Sequence, residues 1–256
     1  MNVNFIFIIV TLFFPVLAMS KGLDLHESNY MTYSYSDEIR SGFYSDLNIE
    51  EYKDLKHYEA VFQYSLKFPL ISNNYFDIYG AFTQKSFWQL GNSKNSSPFR
   101  ESNYRPEVFV LTPINNNFNF YVGYRHESNG RGGPLSRSWE RIFSSLEIKN
   151  NILSSKFEGW YSFDIEDNPD IDKYIPPWIF TLKFPVNSSI VSFSSSYDLH
   201  YKRGYFQLEI NRRITKALSL YVQYRNGYGE SLIDYDLKNS RIMFGLSLLP
   251  YFELNR

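Results

Sequence analysis

The sequence predicts an all-β protein, a twelve-stranded antiparallel transmembrane β-barrel. Many segments of about ten residues, the length of a tilted membrane-crossing strand, alternate apolar and polar side chains. The chain is also rich in aromatic residues, with 23 Phe, 22 Tyr and 4 Trp, as expected for the aromatic girdles of such a barrel. Connections between the segments alternate between short and long, as periplasmic turns and outward loops do.

The N-terminus predicts a signal peptide at residues 1–20, followed by the barrel domain at 21–256. An apolar run from Phe5 to Phe14 precedes Pro15 and the small residues Ala18 and Ser20, and this run is too short and too terminal for a spanning helix. Residues 21–28 are expected to form a polar arm. Residues 37–56 lack a strand period and are expected to form a loop.

Alternation defines the strands that follow. In residues 60–70 the even positions are apolar and the odd positions are mostly polar, which is the period of a strand with one apolar face. Residues 103–112 are ambiguous, because Phe109 and Leu111 compete with Val108 and Val110 for that face. The predicted strands lie near 29–36, 60–70, 76–90, 103–112, 118–126, 137–149, 156–165, 178–184, 189–197, 203–211, 218–229 and 242–248.

The connections orient the predicted barrel. Residues 113–117 and 185–189 are short and rich in Asn or Ser, whereas 91–102 and 165–175 are longer. The hairpin after residue 126 lies on the side of the long loops, which places it at the outer leaflet. A soluble β-sandwich also alternates apolar and polar residues, and composition alone leaves both folds open.

Composition excludes several classes of function. The chain has no cysteine, which rules out disulfides, thiolate metal sites and cysteine nucleophiles. The 26 basic and 27 acidic residues form no long charge run, so no nucleic-acid partner is predicted.

The hairpin at 118–140 carries the candidate chemistry. His126 and Ser128 continue the even, lipid-facing series of their strand, roughly 7 Å apart at about 3.3 Å per residue. A turn centred on Gly133 places Glu140 opposite His126, where an acid can orient the imidazole as in a catalytic triad. A girdle histidine and an ordinary loop serine are the structural alternatives, and no G-x-S-x-G element indicates a soluble α/β-hydrolase.

The same hairpin resembles the outer membrane phospholipase A family of Gram-negative bacteria. The family's His-x-Ser-Asn-Gly-Arg element stands at 126–131, and its Ser-Arg-Ser-Trp element at 136–139. The resemblance continues through 83–90, 96–104, 167–174 and 227–235, so that it covers nearly all of the mature chain. Glu140 departs from the family, which usually has Asn at this position.

The resemblance implies a calcium-dependent serine hydrolase in the outer membrane. It implies hydrolysis of acyl esters of glycerophospholipids in the outer leaflet, as phospholipase A1 and A2 and also as lysophospholipase. Ser128 would be the nucleophile, His126 the base and Glu140 the residue that orients the base. The Gly130 amide would then hold the oxyanion.

The resemblance also implies Ca²⁺ and a homodimer. The family's metal ligands match the Arg131 backbone carbonyl, the Ser136 hydroxyl and, from a partner subunit, Ser96. A further acidic position matches Asp167, but another falls on Gly133, which leaves a second, monomer-type site in doubt. Gln84 lies among outward apolar residues and matches a position that the family pairs across the dimer.

Other functions remain open at this point. One alternative is a catalytically silent barrel, either a channel or an adhesion protein, in which Glu140 replaced the family's Asn after catalysis was lost. A soluble secreted lipase is the other alternative. Within the enzyme class, a preference for lysophospholipid or galactolipid is not resolved by the residues.

Overall fold

The wall of the molecule is a closed antiparallel barrel of twelve strands. A computed structural model describes residues 22–40, 54–95 and 97–248. The predicted signal peptide at 1–20 and the predicted ligand Ser96 lie outside the described residues. The barrel strands are β2 (Asn29–Ser36), β3 (Tyr58–Ser72), β4 (Asp77–Trp88), β5 (Phe99–Asn115), β6 (Phe118–Ser128), β7 (Ser138–Lys149), β8 (Ser154–Phe163), β9 (Trp178–Val186), β10 (Ser189–Asp198), β11 (Arg203–Arg213), β12 (Leu218–Gly227) and β13 (Asn239–Leu248).

Sequential strands pair with each other, and β13 pairs with β2 to close the barrel. This confirms the predicted fold class and the predicted strand number. The long connections 89–98, 129–137, 164–177 and 228–238 share one end, and the short connections 116–117 and 187–188 lie at the other. In the described part of the chain, no helix is long and apolar enough to cross a membrane.

The pleat separates an apolar exterior from a charged interior. On β6 the even residues Phe120, Val122 and Tyr124 are each about two-fifths exposed, whereas Arg125 is buried. The ambiguous strand resolves in the same way, because Val108 faces outward and Phe109 is buried in the lumen. The exterior is therefore built from the even positions of β5, β6 and β7.

Aromatic rings and guanidinium groups fill much of the lumen. Arg125 lies 4.4 Å from the ring centre of Phe143 and forms ion pairs of 2.7 Å with both Glu107 and Glu158. A buried charge is tolerated when it is paired and hydrogen-bonded. The Arg125 ion pairs therefore cross-link β5, β6 and β8 from the inside.

The N-terminal segment, which the sequence predicts to be a polar arm, is folded against the inside of the barrel. Strand β1 (Asp24–Leu25) pairs with Lys67 and Leu66 of β3. The following residues enter the lumen, where His26 Nε2 lies 3.2 Å from Glu107 Oε1 and Ser28 Oγ donates to Glu209 Oε2 at 3.0 Å. This segment therefore links β5 to β11 on the other side of the barrel.

A network around Glu59 closes the outward end of the lumen. Glu59 is fully buried and forms ion pairs with Arg100 at 2.7 Å and with Arg241 at 2.9 Å. Arg100 also pairs with Asp234 in the loop 228–238. Burial alone would raise the pKa of Glu230, but the positive charges of Arg241, Lys85 and Arg225 together outweigh the effect of burial and lower that pKa to about 2. The loop is thus held inside the mouth by charge pairs.

Glu59→Gln tests this network. The substitution keeps the shape of the side chain but leaves Arg100 and Arg241 without their shared anion, so we expect the free energy of unfolding to fall by about 3 kcal/mol. Urea unfolding in detergent micelles measures it, with Glu166→Gln, at an exposed loop carboxylate, as the control. Equal unfolding midpoints for the two variants would contradict the role of Glu59.

Candidate active site

The β6–β7 hairpin has the register predicted from the sequence. His126 pairs with Glu140, and Ser128 pairs with Ser138. Paired residues of an antiparallel ladder share one face of the sheet, and Tyr124 and Ile142 show that this face is the outer one. His126, Ser128 and Glu140 therefore all lie on the membrane side of the barrel wall.

The imidazole and the carboxylate are in direct contact. His126 Nδ1 lies 2.6 Å from Glu140 Oε1, and their side chains are 32% and 13% exposed. A carboxylate on Nδ1 keeps the proton there and leaves Nε2 as the basic nitrogen. The pair thus has the arrangement of the base and its orienting acid in a hydrolase triad.

Ser128 completes the set at the outer end of β6. It is half-buried, two residues beyond His126 on the same face, and pairs with Tyr104 of β5 on its other side. A serine in this position faces the headgroup level of the membrane. The structure therefore places the predicted nucleophile two residues from the predicted base on one face of the sheet, at the end of β6.

Asn129 shapes the hairpin tip next to Ser128. Its side chain is buried, donates to the Leu135 carbonyl at 2.9 Å, and accepts from the Arg137 amide at 3.1 Å. The next residue, Gly130, has a φ of 65°, a left-handed conformation that glycine adopts without strain. The backbone of 129–131 therefore turns directly after Ser128.

Two of the predicted metal ligands lie together above the hairpin. Ser136 Oγ donates to Asp167 Oδ2 at 2.6 Å, and Ser138 Oγ donates to the same oxygen at 3.1 Å. The Asn168 side chain accepts from the Ser138 amide at 3.0 Å and so docks the loop 164–177 onto β7. These hydroxyl and carboxylate oxygens are hard ligands of the kind that Ca²⁺ prefers.

The side chain of Arg131 points away from this group of oxygens. Its guanidinium donates to the Arg100 carbonyl at 2.5 Å and lies 3.4 Å from Glu101. This contact ties the hairpin tip to the outer end of β5. Only the backbone carbonyl of Arg131 was predicted as a ligand, and the position of the side chain leaves that prediction untouched.

Gln84 lies on the outer face of β4 and is half-buried. Its Nε2 donates to Ser86 Oγ at 3.1 Å, and Ser86 in turn shares a hydrogen bond of 2.8 Å with Ser102 of β5. Three polar residues therefore adjoin one another on a face that is otherwise apolar. The sequence predicted the isolated amide of Gln84 but not the two serines beside it.

The tetrapeptide His-Glu-Ser-Asn occurs twice, at 26–29 and at 126–129. The first copy lies in the lumen, where Arg105 pairs with Glu27, and Ser28 donates to Glu209 instead of facing a histidine. His26, Glu27 and Glu107 approach one another closely enough to hold a metal ion, but Arg105 and Arg125 already pair with those carboxylates. Only the second copy faces the membrane.

Tyr124 is the contact that the sequence reasoning missed. Its hydroxyl donates to Glu140 Oε2. Tyr124 precedes His126 by two residues on the same face, and diagonal neighbours across two strands lie within reach of a long side chain. The alternation that places His126 outside also places Tyr124 there, but it does not indicate the hydrogen bond of the Tyr124 hydroxyl.

Comparisons with known proteins agree with this geometry. The family model described as phospholipase A1 matches residues 18–248. The phospholipase A1 of Klebsiella pneumoniae is 36% identical over 89% of this chain and 82% of its own length, and that of Escherichia coli (strain K12) is 34% identical over 89% and 81%.

Solved structures give the same result. The outer membrane phospholipase A from Escherichia coli superposes with a TM-score of 0.84 at 33% identity, covering 90% of this chain and 99% of that one. The Salmonella typhi outer membrane phospholipase dimer with bound calcium gives a TM-score of 0.84 at 32% identity, covering 90% and 93%. A match of this extent in sequence and fold shows that the chain belongs to the phospholipase A1 family of outer membrane β-barrel enzymes.

Proposed function

We propose that Ser128, His126 and Glu140 hydrolyse the acyl esters of glycerophospholipids in the outer leaflet, with phospholipase A1 and A2 and lysophospholipase activity. The observation that carries this proposal is the 2.6 Å contact between His126 and Glu140 on the membrane side of the wall. A polar pair is costly beside hydrocarbon. A substrate that arrives from the bilayer accounts for its place there.

The reaction follows the acyl-enzyme route. Ser128 Oγ attacks the ester carbonyl carbon while His126 Nε2 takes the hydroxyl proton. The tetrahedral intermediate then expels the glycerol oxygen, which receives that proton from His126 and leaves as the lysophospholipid alcohol. A water molecule, deprotonated by His126 in the same way, attacks the acyl-serine. The bond between the acyl carbon and Ser128 Oγ breaks, the fatty acid leaves, and His126 returns the proton to Ser128 Oγ.

Two charged groups form along this route, the imidazolium of His126 and the oxyanion of the intermediate, and both need stabilisation. Glu140 stabilises the imidazolium that forms when His126 accepts the proton. The Gly130 amide lies at the turn beside Ser128 and is the proposed donor to the oxyanion. The strands β6 and β7 fix these positions before substrate binds.

Calcium fits the oxygens above the hairpin. Ser136 and Asp167 are adjacent there, and the Arg131 carbonyl and Ser96 of a second subunit are the further proposed ligands. An ion held by these oxygens would supply positive charge near the oxyanion, for which the Gly130 amide is the proposed donor. To bind the ion, Ser136 has to turn its hydroxyl hydrogen away from Asp167.

Gln84 is the proposed centre of a homodimer interface. Its Oε1 has no hydrogen bond among the described residues, and a bare amide oxygen in hydrocarbon is costly. A second copy that packs against this face offers the missing donor and covers Ser86 and Ser102. A dimer of this kind is also what the proposed ligand role of Ser96 from a second subunit requires.

The channel alternative has little support in the lumen. Leu232 and Ile233 of the loop 228–238 are buried in the mouth of the barrel, and the Glu59 network holds them there. A pore of any width would need that loop to leave.

The contacts of Glu140 also argue against a silent barrel, since a residue left by lost catalysis has no need of a contact with His126.

Ser128→Ala is the test of the nucleophile. Because the variant lacks the attacking oxygen, we expect fatty-acid release from phospholipid in mixed micelles with calcium to fall by about a thousandfold or more. The control is Ser144→Ala, which removes an exposed hydroxyl from β7 on the same outer face of the barrel as Ser128. We expect this variant to behave as the wild type. Wild-type release in both variants would refute the assignment.

Asp167→Asn tests the calcium ligands. With one charge fewer among the hard ligands, we expect the calcium concentration for half-maximal activity to rise at least tenfold. The calcium-dependent rise in the thermal unfolding midpoint should move to higher calcium in parallel. Glu166→Gln removes a charge from the same loop and is the control; a matching shift in that variant would point to general electrostatics instead.

Gln84→Leu tests the interface. The substitution suits a lipid-facing position but removes the amide, so we expect the monomer to fold normally and the dimer fraction with calcium to fall several-fold. Analytical ultracentrifugation in detergent measures both states. An unchanged dimer fraction would place the interface elsewhere.

A further inference from the structure

The Glu140 carboxylate is held at both oxygens. Oε1 lies 2.6 Å from His126 Nδ1, and Oε2 accepts from the Tyr124 hydroxyl. Among the described residues these are the hydrogen bonds of the Glu140 side chain. One oxygen therefore serves the base, and the other is occupied by a residue that takes no part in the triad.

The surroundings make the second bond important. The Glu140 side chain is 13% exposed on the membrane side, where water is scarce. A charged oxygen without a partner in such a place is costly. Among the groups described around Glu140, the phenol of Tyr124 is the donor that meets this need.

The ring of Tyr124 is itself supported by the wall. Tyr124 packs at 6.4 Å between ring centres against Phe163, which pairs with Glu140 from the other side of β7. The hydroxyl is thus presented from β6, with its ring steadied by β8. Neither strand needs to move when the substrate binds.

The contact also restricts rotation of the carboxylate. The last torsion of a glutamate has a broad energy profile, so a carboxylate held at one oxygen can turn out of the plane of the imidazole. A hydrogen bond at the second oxygen fixes that torsion and keeps Oε1 directed at Nδ1. Glutamate is longer by one methylene group than the asparagine usual in the family, which increases the freedom that has to be removed.

We propose that Tyr124 is a positioning residue of the active site, which holds Glu140 so that Glu140 can orient His126. This inference rests on the proposed triad of Ser128, His126 and Glu140. Tyr124 acts through Glu140 and takes no proton in the reaction. A carboxylate in place of the amide is functional in this chain because a phenol donor meets its second oxygen.

Tyr124→Phe removes the hydroxyl and keeps the ring. Because the variant leaves one oxygen of the charged carboxylate without its donor, we expect kcat to fall about tenfold or more while KM for phospholipid in mixed micelles stays within about twofold. The rate at which a sulfonyl fluoride modifies Ser128 should fall in proportion, because that step also requires the oriented base. A loss seen only in KM would indicate a lipid-binding role and overturn the proposal.

The matched control is Tyr161→Phe. Tyr161 is also lipid-facing, is 72% exposed and stacks on the same Phe163 at 6.4 Å, but its hydroxyl has no hydrogen bond among the described residues. We expect this variant to keep the wild-type kcat. A loss equal to that of Tyr124→Phe would assign the effect to the aromatic girdle as a whole.

A double-mutant cycle isolates the route through Glu140. In a Glu140→Ala background, adding Tyr124→Phe should change the residual sulfonylation rate by less than twofold, because the group that Tyr124 holds is already gone. A further tenfold loss would show that Tyr124 acts independently of Glu140. If the wild type itself releases no fatty acid, the proposed triad is wrong. If the wild type is active and Tyr124→Phe has the same kcat as the wild type, only the inference about Tyr124 is wrong.

Discussion

The pleat of β6 and β7 is the constraint on which the active site depends. Successive side chains of a strand point to opposite faces, so Arg125 and Arg141 enter the lumen while His126 and Glu140 face the membrane. A slip of one residue would exchange these faces and bury the base among guanidinium groups. Arg141 pairs with Glu127 inside, and His126 contacts Glu140 outside, so that the same register is locked from both sides of the wall.

Stability and chemistry are divided between the two sides of that wall. The charge pairs around Glu59 and Arg125, together with the N-terminal segment, cross-link the strands from within the lumen. The proposed reacting groups lie on the outside, at the ends of strands that the cross-links join. A site on rigid strands keeps closer geometry than one on loops, which suits an enzyme whose substrate diffuses in two dimensions past a fixed surface.

Much of the fold and the core of the site could be predicted from the sequence, because both depend on a period of two. Alternation gave the strand number, and the turn at Gly133 gave the pairing of His126 with Glu140. Contacts between segments far apart in the chain were beyond that signal. The residues from His26 to Ser28 look like a polar arm locally, and only the barrel brings Glu107 and Glu209 to them. The sequence likewise predicts a loop at Leu232 and Ile233. Both are buried because the loop inserts into the outward end of the barrel.

Other differences arise from rules that alternation does not contain. The sequence predicts a turn that begins at Pro185, yet β9 continues to Val186. The pairing of β9 with β8 ends at Lys183, so the missing N–H of Pro185 costs no hydrogen bond to β8. Tyr124 was within reach of the sequence argument, but apolar alternation assigns a tyrosine to the girdle and is blind to its hydroxyl. The residues that support a site are therefore harder to predict than those that react.

The central claim is that a serine on the membrane side of the barrel is the nucleophile. The most direct measurement uses the protein in phospholipid vesicles with calcium, treated with a long-chain sulfonyl fluoride that partitions into the bilayer. Peptide mass spectrometry then locates the covalent adduct. We expect one adduct, on Ser128, formed in step with the loss of fatty-acid release. Complete inactivation with the adduct on any other residue would show that Ser128 is not the nucleophile.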